Sequence, residues 1–355
     1  MGTAPEPQAG RGGKRGQRMD AVGSEMDAEG LALLTATLDQ LARAHDGAEL
    51  TKALDDFGFP EVLATSPREA ASSLFTAMGQ AGTTSAAFQD VLIGNASGRL
   101  LGPDAGEAQS IVLPPVGAAT AGRVDAGSIT LRGLILGQRT NVGPLLVPAD
   151  SADGVVWVRL PADLPAERLA IRSVAGLDPA LMMAEVTATG PADVVLGGPA
   201  ADQAWRAVVA AGRRALAYQI VGAVTAMLDL AVAHARDRVQ FVQPIGAFQA
   251  VRHRLADAYV AREGAAAALD ICWEADDEEL AAMLAKSLAG RAARIAATQC
   301  QQVLAGIGFT AEHPFHRYLA RALVLDKLLG SATDLPAQIG ARLAAAGTLP
   351  RLANL

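Results

Sequence analysis

Two stretches of this chain combine residue types that could grip a phosphate-bearing ligand. The first is Arg238-Val239-Gln240-Phe241-Val242-Gln243-Pro244-Ile245, followed by Phe248-Gln249. A guanidinium such as Arg238 offers a phosphate a bidentate, permanently charged fork that a lysine does not reproduce. The second is Gln302-Val303-Leu304-Ala305-Gly306-Ile307-Gly308-Phe309-Thr310. Gly306 and Gly308 have no Cβ, so backbone amides there can come close to a ligand. Each stretch alone has a plainer explanation. Arg238 could pair with Asp237 or Asp229, and the two glycines could cap a helix.

Other chemistries find less support. His313 and His316 with Glu312 sit at a loop–helix junction, where capping and packing are the simpler account than a metal site. Gly306-x-Gly308 lacks a third glycine and follows no strand, so a dinucleotide-binding βαβ unit is excluded. Neither a Gly-x-Ser-x-Gly elbow nor a phosphate-loop lysine motif is present. The two cysteines, Cys272 and Cys300, are far apart in helical stretches and read as buried free thiols. Met182, Met183 and Trp205 read as core.

The elements that must position the two stretches follow from pattern. From Leu31 to Leu101 apolar residues recur at helical spacing (Leu34, Leu38, Leu41, then Leu74, Met78), with breakers at Gly58, Pro60 and Ser66-Pro67. From Ser110 to Leu196 short runs such as Ser128–Leu131, Leu145–Val147 and Val155–Leu160 alternate with turn signals at Asp125-Ala126-Gly127, Pro148-Ala149-Asp150 and Asp153-Gly154. Trp157 and Arg159 suggest strands with one wetted face. Long helices are then expected over Trp205–Arg238, where Pro244 forces the break, Ala247–Trp273 and Glu278–Leu304. A shorter helix follows Pro314 and ends near Gly330. The expected fold is α+β: a shortened N-terminal helical domain (26–105), a middle antiparallel β domain (106–200) and a C-terminal four-helix bundle (201–355).

Bulk composition bounds the partners. A net charge of −7 argues against nucleic acid. Residues 1–25, with Arg11, Lys14, Arg15 and Arg18 among glycines, read as a disordered tail without the apolar core of a secretory leader; Met19 or Met26 is a plausible start. The longest apolar run, Ala215–Leu228, is short of the ~20 residues a membrane span needs. No membrane insertion and a cytoplasmic location are expected.

Taken together and in order, the two stretches resemble the flavin-contacting signature of the acyl-CoA dehydrogenase family. Arg238, Gln240 and Phe241 fall on its Arg-x-[Thr/Gln]-Phe turn and Phe248-Gln249 on its Phe-Gln pair. Gln302, Ala305, Gly306, Gly308 and Phe309 fall on its Gln-x-x-Gly-Gly-x-Gly-Phe loop, with Ala305 a mild departure. Gly222, Gly330 and Gly176-Leu177-Asp178-Pro179 are placed as in the family, and Arg213 matches a family arginine expected to order the helix start. The resemblance implies FAD, its ADP half held by Arg238, Gln240, Phe241, Phe248, Gln249, Gln302 and Gly306, an acyl-CoA substrate, and electron-transfer flavoprotein as acceptor.

Two family features are missing. The catalytic carboxylate occupies one of two positions, which here are Leu329 and Gly212, and neither residue can take a proton. The flavin-ring loop Thr-Glu-x-x-x-Gly-Ser-Asp has no counterpart in Ser110–Gly117. Gly306–His313, His316–Leu319 and Leu328-Leu329-Gly330 resemble the small subunit of actinobacterial α2β2 acyl-CoA dehydrogenases, some acting on steroid side chains, in which a homologous catalytic subunit carries the base. The alternatives are a homo-oligomer using Glu185, Asp326 or Glu312 as a displaced base, and a flavin-free scaffold on the same fold.

Overall fold

A computed structural model of the chain describes Gly2 and residues 26–96, 110–137, 143–161, 163–310 and 312–347. Apart from Gly2, the tail expected over 1–25 lies outside them.

Five helices open the described chain: α1 (Ala28–Ala44), α2 (Gly47–Phe57), α3 (Phe59–Thr65), α4 (Pro67–Ala81) and α5 (Ala87–Ala96). The breakers act as their types dictate. Gly58 takes φ 81° between α2 and α3, and Pro60 and Pro67 sit in the first turns of α3 and α4, where a missing N–H is harmless.

Eight strands follow: β1 (Ser110–Ile111), β2 (Gly122–Asp125), β3 (Ser128–Ile135), β4 (Leu145–Ser151), β5 (Gly154–Leu160), β6 (Leu169–Val174), β7 (Met183–Pro191) and β8 (Asp193–Leu196). They form one sheet in the order β6-β7-β3-β2-β4-β5-β8, with β1 also on β4. The purely antiparallel expectation needs correction, because β1 and β2 both pair with β4 in parallel. The chain reverses into β3 and again into β4, so β4 must run the same way as β2 beside it. Pro148-Ala149-Asp150 is also not a turn: it lies inside β4, with Pro148 opposite Trp157.

The sheet is buried on both faces over much of β4 and β5, so Trp157 marks no wetted face. Val147, Ala149, Val156, Val158 and Leu160 point into the sheet's own core, while Leu146 and Trp157 point into the helical core. Trp157 donates to the carbonyl of Ala201 at 3.2 Å and meets Trp205 edge-on, with ring centroids 5.9 Å apart. This pair fixes the sheet against the start of the longest helix.

That helix, α6, runs Pro199–Asp237; α7 (Gln249–Ile271), α8 (Glu278–Leu304) and α9 (Phe315–Lys327) pack against it, and α10 (Leu335–Ala346) packs on α8. Alone among the described helices, α6 is long and apolar enough to cross a membrane, and most of its apolar window is buried by protein. It meets α4 where Gly222 faces Gly79: a Cβ on either would run into the other helix's backbone. The helix ends at Asp237, well before Pro244, because the chain turns into a tight hairpin of β9 (Val239–Gln240) and β10 (Gln243–Pro244). A fifth bundle helix, α10, lies beyond the expected end near Gly330. It buries Leu335 and Ile339 against Leu280 and Met283 of α8.

Candidate functional site

Because α6, α7 and α8 are successive helices joined by short turns, the end of α6, the start of α7 and the end of α8 lie at one end of the bundle. Arg254 of α7 confirms the placement by donating to Gln299 of α8 at 2.8 Å. The two sequence stretches therefore form one tip. At the hairpin apex Phe241 and Val242 both adopt left-handed backbone, φ 53° and 69°. Such conformations in a β-branched or bulky residue cost on the order of 1–3 kcal/mol and cluster at functional surfaces. Their side chains are 85% and 100% exposed, and Phe309 across the tip is 78% exposed. Phe241 stacks edge-on against Phe248, centroids 6.2 Å apart.

Arg238, Gln240, Gln249, Gln302 and Gly306 are all exposed on the same tip, with Phe248 half-buried. Neither of the plainer explanations describes what is there. Arg238 forms no ion pair with Asp237 or Asp229; its N–H caps α6 by bonding the carbonyl of His234. The residue that ends α8 is Ala305, not a glycine, with φ 52° and ψ −135°. Gly306 and Gly308 lie in the 3-10 turn after it and differ in kind. A Cβ on Gly308 would come 2.6 Å from the Gln301 amide nitrogen, so its glycine serves internal packing. Beyond Gly306 nothing lies within 4 Å, so that face is open to a group from outside the chain.

The two positions at which a base was sought lie together, away from the tip. Gly212 is in the middle of α6, and a Cβ there would sit 2.7 Å from Leu329 Cδ1 and 3.0 Å from Leu92 Cδ2. Arg213 beside it does not order the helix start. Its Nε–H donates to the Leu329 carbonyl at 2.9 Å, pinning the loop after α9. Burial lowers the Arg213 guanidinium to about 10, with Glu279 opposing and Arg342 adding to the shift.

A cleft of about 760 Å³ opens beside this plug, between residues 114–119, α6 and the loop 327–334. Its lining carboxylates are Glu279 and Asp334, neither singled out for this by the sequence. Glu279 is paired with Arg342 at 2.6 Å. Asp334 accepts from Ser331 Oγ at 2.5 Å, which holds its carboxyl below the usual range and makes it a weak base. The displaced-base candidates do not line the cleft. Glu185 pairs with Arg132 on the sheet at 2.8 Å, and Glu312 is exposed beyond the tip. Asp326 is buried, accepting from Ala332 N at 2.9 Å and from Arg294. His313 bonds Phe315 N through Nδ1 at 3.3 Å, a capping role, and no metal-ligand cluster occurs among the described residues.

Comparison with known proteins fits this geometry. Residues 203–344 match the family model described as acyl-CoA dehydrogenase, C-terminal domain. Acyl-CoA dehydrogenase IpdE2 of Mycolicibacterium smegmatis is 39% identical over 115 residues, 32% of this chain and 37% of that protein. Acyl-CoA dehydrogenase FadE27 of Mycobacterium tuberculosis is 30% identical over 241 residues, 59% of this chain and 60% of that one. The chain thus spans less than two thirds of these relatives. Among solved structures, the ChsE4-ChsE5 complex of Mycobacterium tuberculosis superposes with TM-score 0.74 at 22% identity, covering 90% of this chain and 98% of that one. A Mycobacterium smegmatis glutaryl-CoA dehydrogenase in complex with FADH2 superposes with TM-score 0.69 at 19% identity, over 91% and 95%. The chain thus carries an acyl-CoA dehydrogenase C-terminal domain over α6 to α10 and shares the fold of these structures across nine tenths of its length.

Proposed function

We propose that this chain is the non-catalytic subunit of a heteromeric, FAD-dependent acyl-CoA dehydrogenase, completing a flavin site whose base and ring-binding loop belong to a homologous partner. One observation carries the proposal. The tip around Arg238 and Gly306 is open and exposed, whereas the base position at Gly212 is filled by Leu329. The tip fits the ADP half of a flavin: Arg238 would face the pyrophosphate, Gly306 would let backbone amides approach, and Phe241 and Phe248 would cover the group from one side. Gln240, Gln249 and Gln302 supply neutral donors around it. The cleft does not fit a self-sufficient active site, because its carboxylates are held by Arg342 and Ser331.

The flavin supplies the hydride acceptor for α,β-dehydrogenation of the acyl-CoA. This chain's part is to grip the cofactor's far end and to exclude water around it. The relatives support a steroid-derived substrate, since one structure of the same fold is a Tcur3481-Tcur3483 steroid ACAD variant, TM-score 0.72 and 21% identity. Electron-transfer flavoprotein is the acceptor expected for such a complex.

The visible absorption spectrum tests this. The chain purified alone should carry no flavin band, and the chain co-purified with a family homologue encoded beside it should carry about one flavin per heterodimer. In that complex Arg238→Ala should strip the flavin while leaving the chain's own melting temperature unchanged, because Arg238 is exposed. A full flavin complement in the lone chain would overturn the shared-site proposal. Flavin absent from every complex would favour a scaffold.

A further inference from the structure

A second, smaller cavity opens against α6 and shares no lining residue with the tip or the cleft. Its volume is about 240 Å³, and its walls include Leu63 of α3, Ala71 of α4, Val91 and Asn95 of α5, Arg214 of α6 and Trp273 just after α7. Arg214 is 6% exposed. Its guanidinium carbon sits 4.4 Å from the Trp273 ring centre, a cation–π contact. Its Nη1 is 3.7 Å from a Glu278 carboxylate oxygen, too far for a hydrogen bond. Its Nε–H is buried and has no acceptor among the described residues. A guanidinium cannot shed its proton, so this buried donor calls for an acceptor.

None of the surrounding groups reaches Nε: Glu278, which also lines the cavity, is ion-paired with the guanidinium through Nη1. Trp273 Nε1 is a donor, already spent on the Tyr218 hydroxyl at 2.9 Å. Asn95 donates its amide nitrogen to the Val91 carbonyl at 2.8 Å, and its amide oxygen does not reach Arg214 Nε. Cys272 also lines the cavity, but a thiol sulfur is only a weak acceptor. Burial pushes that thiol up to about 11, so it stays protonated and unreactive at neutral pH. The cavity is equipped to bind, not to react.

We propose that this cavity is a binding site for a short aliphatic carboxylate, its oxygens on the Nε side of Arg214 and its chain against Leu63, Val91 and Trp273. Size limits the ligand: at ~30 Å³ per water-sized unit the space holds about eight heavy atoms, far less than a coenzyme A thioester. Charge limits it too, because Glu278 stands near the same guanidinium and opposes a dianion such as phosphate more than a monoanion. The aliphatic part of the lining, Leu63, Pro67, Ala71, Val91 and Ala211, favours an acid with a hydrocarbon body. No residue of the flavin-facing tip lines this cavity, so the inference stands independently of the shared-flavin proposal.

The test uses the full chain labelled with 5-fluorotryptophan and read by fluorine NMR. Its three tryptophans give few signals, and Trp273→Phe assigns the relevant one. Butyrate should shift the Trp273 resonance saturably, whereas butyramide and butylamine should not. Arg214→Gln should weaken butyrate binding by about tenfold or more, the loss expected for a charge-assisted hydrogen bond. Should that variant fail to fold, Asn95→Leu keeps the arginine, fills the cavity and should abolish the butyrate response. An equal response to butyramide, a response surviving in both variants, or no response to butyrate would overturn the proposal, the last meaning that the cavity holds only water.

Discussion

Leu329 Cδ1 lies 2.7 Å from where a Cβ of Gly212 would be, so the two positions that could have carried a base close on each other. The contact is apolar, sealed by Leu92 and Phe88, and held from below by the Arg213 bond to the Leu329 carbonyl. A glutamate at position 212 would have to displace the Leu329 side chain.

Gly212→Ala should accordingly destabilise the chain by about 1–3 kcal/mol, the usual cost of overpacking. Leu329→Ala alone should also destabilise, by loss of buried apolar contact. The double variant should be less destabilised than the sum of the two, by on the order of 1 kcal/mol, since Leu329→Ala makes the room that a methyl group at position 212 requires. Urea unfolding of the four proteins measures the coupling, and strict additivity would count against the contact.

The end of α8 offers the opposite experiment. Ala305 caps that helix at φ 52° and ψ −135°, a combination that glycine adopts readily and other residues do not. Ala305→Gly should raise stability by about 1 kcal/mol, where glycine in an ordinary helix position would lower it. A fall in melting temperature would mean that the backbone here is not strained.

How much of this was legible depended on whether the signal was local. The bounds of α8 follow from Asp277, whose carboxylate accepts from Leu280 N at 3.1 Å, and from the acidic pair behind it, and they agree with expectation. α7 starts at Gln249, two residues after the expected Ala247, because Ile245–Ala247 tighten into a 3-10 turn. Pro148 looked like punctuation yet lies in β4, where its carbonyl accepts from Ala121 N at 3.0 Å. Gathering Arg238 and Gly306 on one tip follows from counting helices, since an up-down-up path brings those ends together. Arg214 and Trp273, or Asp178 and Arg321, leave no local trace, because only the packing of separate elements brings such pairs together. Ala305 looked like a mild change until its backbone conformation was known.

The pair Asp178–Arg321 joins three parts of the chain. Arg321 of α9 is fully buried, bonds the Asp178 carboxylate between β6 and β7, and donates through Nη1 to the Thr83 carbonyl between α4 and α5 at 2.7 Å. Removing one partner leaves the other charge buried and alone, so Asp178→Leu or Arg321→Met should each cost about 3–5 kcal/mol. Combining both should recover most of that loss, because well-packed apolar residues often replace a buried ion pair without penalty. Denaturation midpoints of the three variants decide it; a double variant as unstable as the sum of the singles would show that the bond to Thr83 matters more than the ion pair.

Lys286 gives the chain a pH dependence whose sign is fixed. The side chain is fully buried in α8, and Nζ donates to the carbonyls of Asp326 at 2.9 Å and Gly330 at 3.1 Å, beneath the Leu329 loop. Burial lowers its pKa from 10.5 to about 7, opposed by Asp326 and reinforced by Arg213 and Lys327. In the unfolded chain the amine keeps its proton up to the ordinary value, so between about 7 and 10.5 the unfolded state binds more protons than the folded one. Stability from this residue therefore rises with pH across that window, by at most about 1.4 kcal/mol per pH unit, and is flat at its least favourable below it. The neutral amine still has two hydrogens for the two carbonyls, so the loop stays bonded. Urea denaturation of the wild type and of Lys286→Met across this range should show the difference between them shifting in favour of the wild type as pH rises. A difference independent of pH would mean that Lys286 titrates at its ordinary value despite its burial.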